Sequence, residues 1–318
     1  MRIGRAAGKS DTGRRRLRNE DAFIFKPPLF AVADGMGGAR AGEVAAGLAA
    51  AAFEEAGAEI RGPAGVAELI VEANRRIWER SLADPRTAGM GTTVTAALVD
   101  PEDGTVAIGH VGDSRAYLLR RGSLEQLTTD HSLVAELVQS GVLTPEEAER
   151  HPQRSAITRA LGTEATVEVD GFTVVAEPGD LFLICSDGLS TMLSDDDMAH
   201  AIESASGDPD AAADALIREA NDRGGEDNVT VVLFEMIGAE APAEATAPSP
   251  GPVADPTDTQ EFSARELQEA AEEDAEDGAK PSASRRFGAG PGGRIAALLL
   301  VATVLGVGVV ALYLALGR

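Results

Sequence analysis

The sequence contains little cysteine, few aromatic residues and a shortage of positive charge. Its 318 residues include one cysteine, and Phe, Trp and Tyr together make up 4% of the chain. A single cysteine excludes a disulfide framework and a cysteine-based zinc cluster. Lys and Arg number 28 against 52 Asp and Glu, which gives a formal net charge of −24. Because generic nucleic-acid binding needs a basic surface, this balance argues against nucleic acid as a partner.

Histidine is also scarce, and its spacing is not that of a zinc site. The four histidines show neither HExxH nor HxH spacing: His110, His131, His151 and His200. A bound metal is therefore expected to have oxygen ligands, which favours Mg²⁺ or Mn²⁺ over zinc. Cys185 lies inside an apolar run, LFLICSDG, and is predicted to be a core residue rather than a nucleophile.

Residues 29–38, LFAVADGMGG, combine a short apolar run with a glycine-rich turn. The run predicts a buried strand that delivers the carboxylate of Asp34 to its end. A charge in that position is costly unless it is paired or bound to a metal, and glycines let the backbone approach a ligand closely. The pattern therefore predicts a metal or phosphate site, with a solvated Asp-Gly turn as the alternative.

Periodicity and turn signals divide residues 1–238 into regular elements of both kinds. An alanine-rich composition predicts a helix over 43–58, and apolar spacing predicts one over 66–77. β-Branched and apolar runs predict strands over 92–99, 105–111, 180–185 and 229–237. Residues 109–119 are predicted to form a second hairpin with Asp113 in its turn. Residues 131–162, which include a capping box at 144–147, predict a small helical insertion that acts as a flap beside a site.

Beyond residue 238 the composition changes abruptly. Residues 239–294 are rich in Ala, Pro, Glu and Asp and are predicted to be a disordered acidic linker. Residues 295–316 carry no charge over a length that matches the hydrocarbon core of a bilayer, which predicts one transmembrane helix. Arg285, Arg286 and Arg294 precede that segment and Arg318 alone follows it. This bias predicts a single-pass membrane anchor with the preceding domain in the cytoplasm.

Five aspartates stand at predicted strand borders or turns: Asp21, Asp34, Asp113, Asp187 and Asp227. Each alone is typical of a structural turn, but their repetition in one domain favours a shared acidic cluster that binds hard cations. Paired divalent ions clamp a phosphoryl oxygen and lower the pKa of water, and a nearby arginine binds the remaining phosphate oxygens. The residues by themselves point to a two-metal hydrolase of a phosphorylated substrate.

An arginine-rich run lies just before the first of these aspartates. Arg14, Arg15, Arg16 and Arg18 lead into Asn19-Glu20-Asp21. Taken alone, adjacent cations and carboxylates favour simple pairing at the surface.

Six short motifs in sequence order give the chain a resemblance to the metal-dependent Ser/Thr protein phosphatases of the protein phosphatase 2C type, especially their bacterial, membrane-anchored branch. The motifs are Arg16-x-x-Asn19-Glu20-Asp21, Val32-Ala33-Asp34-Gly35-Met36-Gly37-Gly38, Gly91-Thr92-Thr93, Gly112-Asp113-Ser114-Arg115, Ser186-Asp187-Gly188 and Gly225-Glu226-Asp227-Asn228. The resemblance covers roughly residues 5–237. It implies an α+β fold, a four-layer αββα sandwich of two antiparallel β-sheets flanked by helices, with the catalytic domain over residues 1–238.

The resemblance also implies roles for individual residues. Asp34 would bridge two metals, Mn²⁺ or Mg²⁺, with the Gly35 carbonyl, Asp187 and Asp227 completing the site. Glu20 and Asp21 would hold metal-bound waters, and Asp21 is the stronger candidate of the two. Arg16 would bind the phosphate, Asp113 would bind a third, weaker metal, and water would attack without a phosphoenzyme.

The sequence departs from the family pattern at two positions. Many eukaryotic members have a histidine, proposed as the general acid, where this chain has Met36. Methionine cannot donate a proton, although bacterial relatives commonly share it. Thr191 replaces an aspartate found in many members, which leaves Asp113 one partner fewer at the third metal position.

The expected function is hydrolysis of phosphoserine and phosphothreonine on cytoplasmic proteins, in opposition to Hanks-type kinases. The expected partners are phosphorylated proteins, Ser/Thr kinases and their substrates, and the membrane, and the chain is expected to be a monomer. Two alternatives remain: a phosphatase of a phosphorylated anti-sigma-factor antagonist, and a catalytically dead phosphatase fold used as a binding module. Together, Asp34, Asp187, Asp227 and Arg16 argue against the dead fold.

Overall fold

The computed structural model describes residues 1–37, 41–57 and 59–238. The predicted linker at 239–294 and the predicted transmembrane segment at 295–316 lie outside these residues. None of the helices within the described ranges is long and apolar enough to cross a membrane.

The strands of this part of the chain form two antiparallel sheets. The strands are β1 (Arg2–Asp11), β2 (Asp21–Lys26), β3 (Leu29–Met36), β4 (Gly91–Thr92), β5 (Val94–Asp100), β6 (Thr105–Val111), β7 (Arg115–Arg120), β8 (Ser123–Gln126), β9 (Asp170–Val175), β10 (Leu181–Cys185) and β11 (Val229–Ile237). The first sheet has the order β1-β11-β10-β7-β8. The second has the order β2-β3-β5-β6-β9, and β4 pairs with β3 beside it.

Helices cover the outer faces of the sheets. They are α1 (Ala41–Glu54), α2 (Gly62–Ala83), α3 (Leu133–Gln139), α4 (Pro145–Glu149), α5 (Asp187–Ser190), α6 (Asp195–Ser204) and α7 (Pro209–Asp222), with one 3-10 turn at Pro85–Thr87. Phe53 of α1 and Ile70 of α2 are buried against the second sheet. Met198 of α6 and Leu216 of α7 are buried against the first.

A third apolar cluster fills the space between the two sheets. Phe30 of β3 stacks on Phe234 of β11 at a ring-centroid distance of 4.5 Å, and Phe182 of β10 stacks on Phe234 at 5.0 Å. Three of the few aromatic side chains therefore join the sheets, where each large ring removes the most apolar area from water. The layers run helices, sheet, sheet, helices. The predicted α+β fold with two antiparallel sheets flanked by helices is confirmed.

Several predicted elements form for the reasons that their sequence suggests. Val66, Ile70, Ala73 and Ile77 of α2 are fully buried, as their spacing on one helix face requires. In the insertion, Thr144 and Glu147 form the reciprocal hydrogen bonds of a capping box at the start of α4. The insertion is therefore helical, as predicted, with α3 and α4 as its two helices.

The hairpin predicted over residues 109–119 is wrong. β6 pairs with β5 and β9 in the second sheet, whereas β7 pairs with β10 and β8 in the first. Residues 112–114 are a crossover between the sheets, with Gly112 at φ +115°. β6 is buried along most of its length because both of its edges are already paired, and adjacency in sequence does not reveal such pairing.

Four strands are not predicted from the sequence: β1, β2, β8 and β9. β1 is mostly polar and half-buried, β8 has four residues, and β9 alternates between exposed and half-buried positions. β1 and β8 lie at the edges of the first sheet and β2 and β9 at those of the second, where side chains stay close to water. Edge strands need fewer apolar residues, so composition alone does not separate them from loops.

Candidate metal centre

The five predicted aspartates come together at one end of the paired sheets. Asp21 begins β2 and lies directly opposite Asp34 of β3 in the antiparallel register. Asp187 begins α5 just after β10, and Asp227 lies just before β11. Asp113 lies in the crossover from β6 to β7. Strands of both sheets therefore contribute to the same cluster.

Electrostatics shows how closely these carboxylates share one region. Burial raises the pKa of Asp34 well above its usual value, and the carboxylates of Asp21, Asp187, Asp113 and Asp227 raise it further. Burial, followed by repulsion from neighbouring aspartates, raises the pKa of Asp21 and that of Asp113 to about 7. The pKa of Asp187 is raised by burial and by Asp227. Several carboxylates cannot ionise together here unless cations compensate them.

Two oxygens of the cluster lack any hydrogen-bond partner among the described residues. Oδ2 of Asp21 accepts a hydrogen bond of 2.6 Å from the Thr230 hydroxyl, but its Oδ1 is buried and unpartnered. Oδ1 of Asp113 is also buried and unpartnered. A buried acceptor without a partner costs about 1–3 kcal/mol. A hard cation satisfies such oxygens, so the residues present fit Mg²⁺ or Mn²⁺.

The carboxylates do not by themselves form a closed metal cage. Within the described residues, no group of three or more Asp, Glu, His or Cys side chains is arranged to hold a metal ion. Ions such as Mg²⁺ usually keep several waters and take only one or two carboxylates each from the protein. The open arrangement is compatible with ions of that kind and incompatible with a tetrahedral structural zinc site.

Backbone and hydroxyl contacts hold Asp34 in place. The Asp34 N–H donates to Oγ1 of Thr93 at 3.1 Å, and the Thr93 N–H donates to the Asp34 carbonyl at 2.9 Å. Oγ1 of Thr92 donates to the same carbonyl at 2.8 Å. Thr93 also shares a 2.6 Å hydrogen bond with Ser114, next to Asp113. The paired threonines therefore position the central aspartate, a role that the sequence did not reveal.

Gly35 follows Asp34 where two other backbones pass very close. A Cβ at this position would lie 2.3 Å from the Gly42 carbonyl oxygen and 2.4 Å from that of Glu20. Gly188, next to Asp187, is equally confined, because its Cβ would lie 2.0 Å from the Asn228 carbonyl oxygen. Both glycines are required for close packing around the carboxylates.

Arg16 reaches the cluster from the exposed loop between β1 and β2. Its Nη2 lies 2.5 Å from Oδ2 of Asp227, although the two residues are 211 positions apart. The prediction of simple pairing between the arginine run and its adjacent carboxylates is wrong for Arg16. Its guanidinium remains half-exposed and can still contact a ligand.

Asn228 fixes the loop that carries Arg16. Its side-chain amide donates to the carbonyls of Thr12 and Arg18 at 2.9 and 2.8 Å, and its Oδ1 accepts from the Glu20 N–H at 2.8 Å. The sequence places Asn228 in a motif with Asp227 but does not by itself indicate a role for it. Its position next to the candidate ligand Asp227 was the feature of the sequence that could have indicated this role.

A pocket of about 200 Å³ opens beside the cluster. Arg16, Asp187, Gly188, Thr191, Met192, Glu226 and Asp227 line it from the main body, and Arg154 and Ser155 line it from the insertion. The insertion therefore borders the site, as expected of a flap. Thr191, the residue that departs from the family pattern, faces the same pocket.

Comparison with known proteins supports this interpretation. The family model for protein phosphatase 2C matches residues 12–215. A Listeria welshimeri serine/threonine phosphatase, stp, is 41% identical over 239 residues, which cover 71% of this chain and 94% of that protein.

Two solved structures extend the likeness to the fold. The Mycobacterium tuberculosis serine/threonine phosphatase PstP/Ppp has a TM-score of 0.70 and 40% identity, with 74% of this chain and 100% of that chain covered. The catalytic domain of PstP in complex with two manganese ions has a TM-score of 0.67 and 38% identity, with 74% of this chain and 99% of that chain covered. The chain belongs to the protein phosphatase 2C family.

Proposed function

We propose that this Ser/Thr protein phosphatase hydrolyses phosphoserine and phosphothreonine on cytoplasmic proteins with the help of two Mn²⁺ or Mg²⁺ ions at the aspartate cluster. Its family and the serine/threonine phosphatases that it resembles support the activity. The relative with two manganese ions supports the metals. The observation that carries the proposal is the group of carboxylates around Asp34, which raise its pKa together and include unpartnered buried oxygens.

In this proposal Asp34, the Gly35 carbonyl, Asp187 and Asp227 hold the two ions, and Asp21 lies beside them. Asp113 is the candidate ligand for a third, weaker ion. When bound, such ions polarise a phosphoryl oxygen and lower the pKa of water. Asp21, Asp34, Asp113 and Asp187 all have raised pKa values, so the cluster is prepared to lose protons when cations bind.

Arg16 is the candidate phosphate-binding residue. It lines the pocket with Asp187 and Asp227, and its planar guanidinium suits bidentate contact with phosphate oxygens. The pair with Asp227 holds the guanidinium at the pocket, and Asn228 fixes its loop. The Met36 side chain has no proton to donate, so it does not serve as a general acid for the leaving group.

We also propose a setting in the cell. The predicted transmembrane segment at 295–316, with more arginines before it than after it, supports a membrane anchor and a cytoplasmic catalytic domain. In that setting the substrates are phosphorylated cytoplasmic proteins, among them Ser/Thr kinases and the proteins that these kinases modify.

The test is hydrolysis of a phosphothreonine peptide by the full chain, with Mn²⁺ or with EDTA. Turnover should depend on the metal, and Asp187→Asn should abolish it together with Mn²⁺ binding measured by calorimetry. Asp222→Asn, a matched change on the exposed end of α7, should retain both. Absence of turnover in the unaltered chain with Mn²⁺ would contradict the enzymatic proposal and favour a binding module.

A further inference from the structure

Three exposed arginines, one lining the pocket and two on the loop beside it, form no ion pair with any described residue. They are Arg14 and Arg15 on the β1–β2 loop and Arg154 in the insertion, and we call them the cationic rim. Some other exposed arginines of this acidic chain pair with carboxylates: Arg75 pairs with Glu72 and Glu79, and Arg121 with Glu177. Arg218 of α7 is also exposed and has no ion pair among the described residues, so the rim is distinguished by its position beside the pocket.

The fold holds the loop arginines beside the pocket. The backbone N–H groups of Arg14 and Arg15 both donate to the Gly225 carbonyl, at 2.8 and 3.2 Å. Gly225 is followed directly by Glu226 and Asp227, which line the pocket. These bonds hold the backbone of the loop, and the side chains of Arg14 and Arg15 are exposed.

Arg154 approaches from the other element of the site. It lies in a turn of the insertion and lines the same pocket as Arg16. Arg16 is the proposed phosphate-binding residue, so Arg154 offers a second guanidinium to the part of the substrate next to the phosphate. An extended peptide advances about 3.3 Å per residue, so a side chain two positions from a bound phosphoresidue lies about 7 Å away. A pocket of about 200 Å³ spans a distance of that order.

We propose that the cationic rim makes this enzyme select phosphopeptides with Asp or Glu close to the phosphorylated residue. The inference rests on the proposed phosphatase function and adds a substrate class to it. Unpaired arginines create a local positive potential that attracts anions, and each guanidinium can bind a carboxylate in a bidentate manner. Arg154 and the loop arginines are specificity-determining residues in this scheme.

Glu226 provides the opposing charge against which the proposal is tested. It lines the same pocket, is exposed, and lies outside the proposed set of metal ligands. If Glu226 governed selection, Lys or Arg beside the phosphoresidue would be preferred. The rim and Glu226 therefore predict opposite preferences.

The experiment compares three phosphothreonine peptides that carry Glu, Gln or Lys at the two positions on each side of the phosphothreonine. The full chain with Mn²⁺ is assayed for kcat/KM at low and at high salt. The Glu peptide should exceed the Gln peptide by about fivefold at low salt, because exposed ion pairs are individually weak, and the ratio should shrink as salt screens them. The Lys peptide should be the poorest substrate.

Variants assign the preference to the rim. Arg154→Gln and the double change Arg14→Gln with Arg15→Gln should each reduce the Glu-to-Gln ratio toward one. Arg218→Gln removes an exposed arginine of α7, a helix that contributes no residue to the pocket, and it should keep the ratio of the unaltered chain. Melting curves confirm that each variant is folded.

The outcomes separate the two proposals. Hydrolysis of no peptide by the unaltered chain would overturn the proposed function. Equal hydrolysis of the Glu and Gln peptides, or preference for the Lys peptide, would overturn the rim proposal while the phosphatase function stands. Retention of the full Glu preference in both rim variants would overturn it as well.

Discussion

Asp21 and Asp34 lie directly opposite each other in the antiparallel pair of β2 and β3. Side chains opposite one another on neighbouring strands have Cβ atoms about 4.5–5.5 Å apart, and like charges in such a pair are destabilising. The chain keeps two carboxylates in this unfavourable arrangement and adds three more aspartates around them. The arrangement lowers the stability of the metal-free protein and prepares a site for cations.

Replacing Asp34 with Asn should therefore stabilise the metal-free protein. Because the change removes a carboxyl group whose ionised form is disfavoured by burial and by four other carboxylates, we expect the free energy of unfolding in EDTA to rise by about 1–2 kcal/mol, which corresponds to a Tm increase of about 4 °C. Added Mn²⁺ should raise the Tm of the unaltered chain but not that of Asp34→Asn. Thermal melts with EDTA and with Mn²⁺ measure both effects.

Asp222→Asn is the control for this comparison and should keep the metal-dependent shift. A lower Tm for Asp34→Asn than for the unaltered chain in EDTA would show that repulsion among the carboxylates does not govern stability.

Arg16→Ala should impair substrate binding and leave metal binding intact. We expect kcat/KM for a phosphothreonine peptide to fall about 100-fold, a loss typical of removing one preorganised donor from an active site. Since Arg16 pairs with Asp227, its removal frees that carboxylate for a cation, and the Mn²⁺ affinity should stay equal or rise. Steady-state kinetics and calorimetric Mn²⁺ titration check the two parts.

Arg16→Lys tests the geometry of the same contact. It restores the charge without the planar fork and should recover only part of the activity. A loss of Mn²⁺ affinity in Arg16→Ala would instead assign this arginine to the integrity of the metal site.

Gly35→Ala and Gly47→Ala should have opposite effects on stability. A Cβ at Gly35 would meet two backbone carbonyl oxygens within 2.4 Å, and backbone cannot move aside as a flexible side chain can. We expect Gly35→Ala to cost about 3 kcal/mol. Gly47 lies on the exposed face of α1 with nothing within 4 Å of its Cβ position, so its change to Ala should add about 0.5–1 kcal/mol.

Urea unfolding of both variants measures the difference. A mild effect at Gly35 would mean that β3 and α1 can separate without disrupting the protein. Loss of activity in that case would show that the position of Asp34 depends on their contact.

His110 should make stability fall on acidification. This fully buried histidine on β6 donates from Nε2 to the Thr129 carbonyl and packs on His131 at a ring distance of 4.7 Å. Burial, with repulsion from His131, lowers its pKa to about 4 from an ordinary 6.5. Between pH 4 and 6.5, His110 is protonated in the unfolded chain but neutral in the folded chain. The contribution of His110 to the free energy of unfolding is therefore constant above pH 6.5. It falls by roughly 3 kcal/mol as the pH decreases to 4.

The measurement is the difference in unfolding free energy between the unaltered chain and His110→Gln across pH 4–7.5. The site carboxylates with raised pKa values contribute with the opposite sign, and this contribution cancels in the difference. His200→Gln, a change at an exposed position of α6, should leave the pH profile unaltered. An identical pH profile for His110→Gln would contradict the prediction.

Local sequence was sufficient where a residue's neighbours along the chain determine its environment. The α2 helix follows from the spacing of Val66, Ile70 and Ile77, and α4 begins at the capping box of Thr144. The candidate carboxylates were found because a charge at the end of a buried strand is costly without a partner. Cys185, predicted to be core, is fully buried.

Sequence was insufficient where pairing or distance decides the outcome. β6 and β7 are neighbours in sequence yet belong to different sheets, because each finds other partners at its edges. The lack of a carboxylate partner for Arg14 and Arg15 among the described residues was also unexpected, since their proximity to acidic residues in the sequence suggested pairing. Asn228 could be assigned a role only when the carbonyls of Thr12 and Arg18 were found within its reach.

The sequence by itself determined which side chains carry chemistry and in what order, because metal-binding carboxylates and close-packing glycines are properties of residue type and immediate context. Only the tertiary structure decided that Asp21, Asp34, Asp113, Asp187 and Asp227 share one region, and that Arg16 reaches Asp227 across 211 residues. The physical reason is the range of the forces involved. Capping and periodicity act within a turn or two of chain, whereas repulsion between carboxylates depends on distance in space, which the packing of two sheets sets.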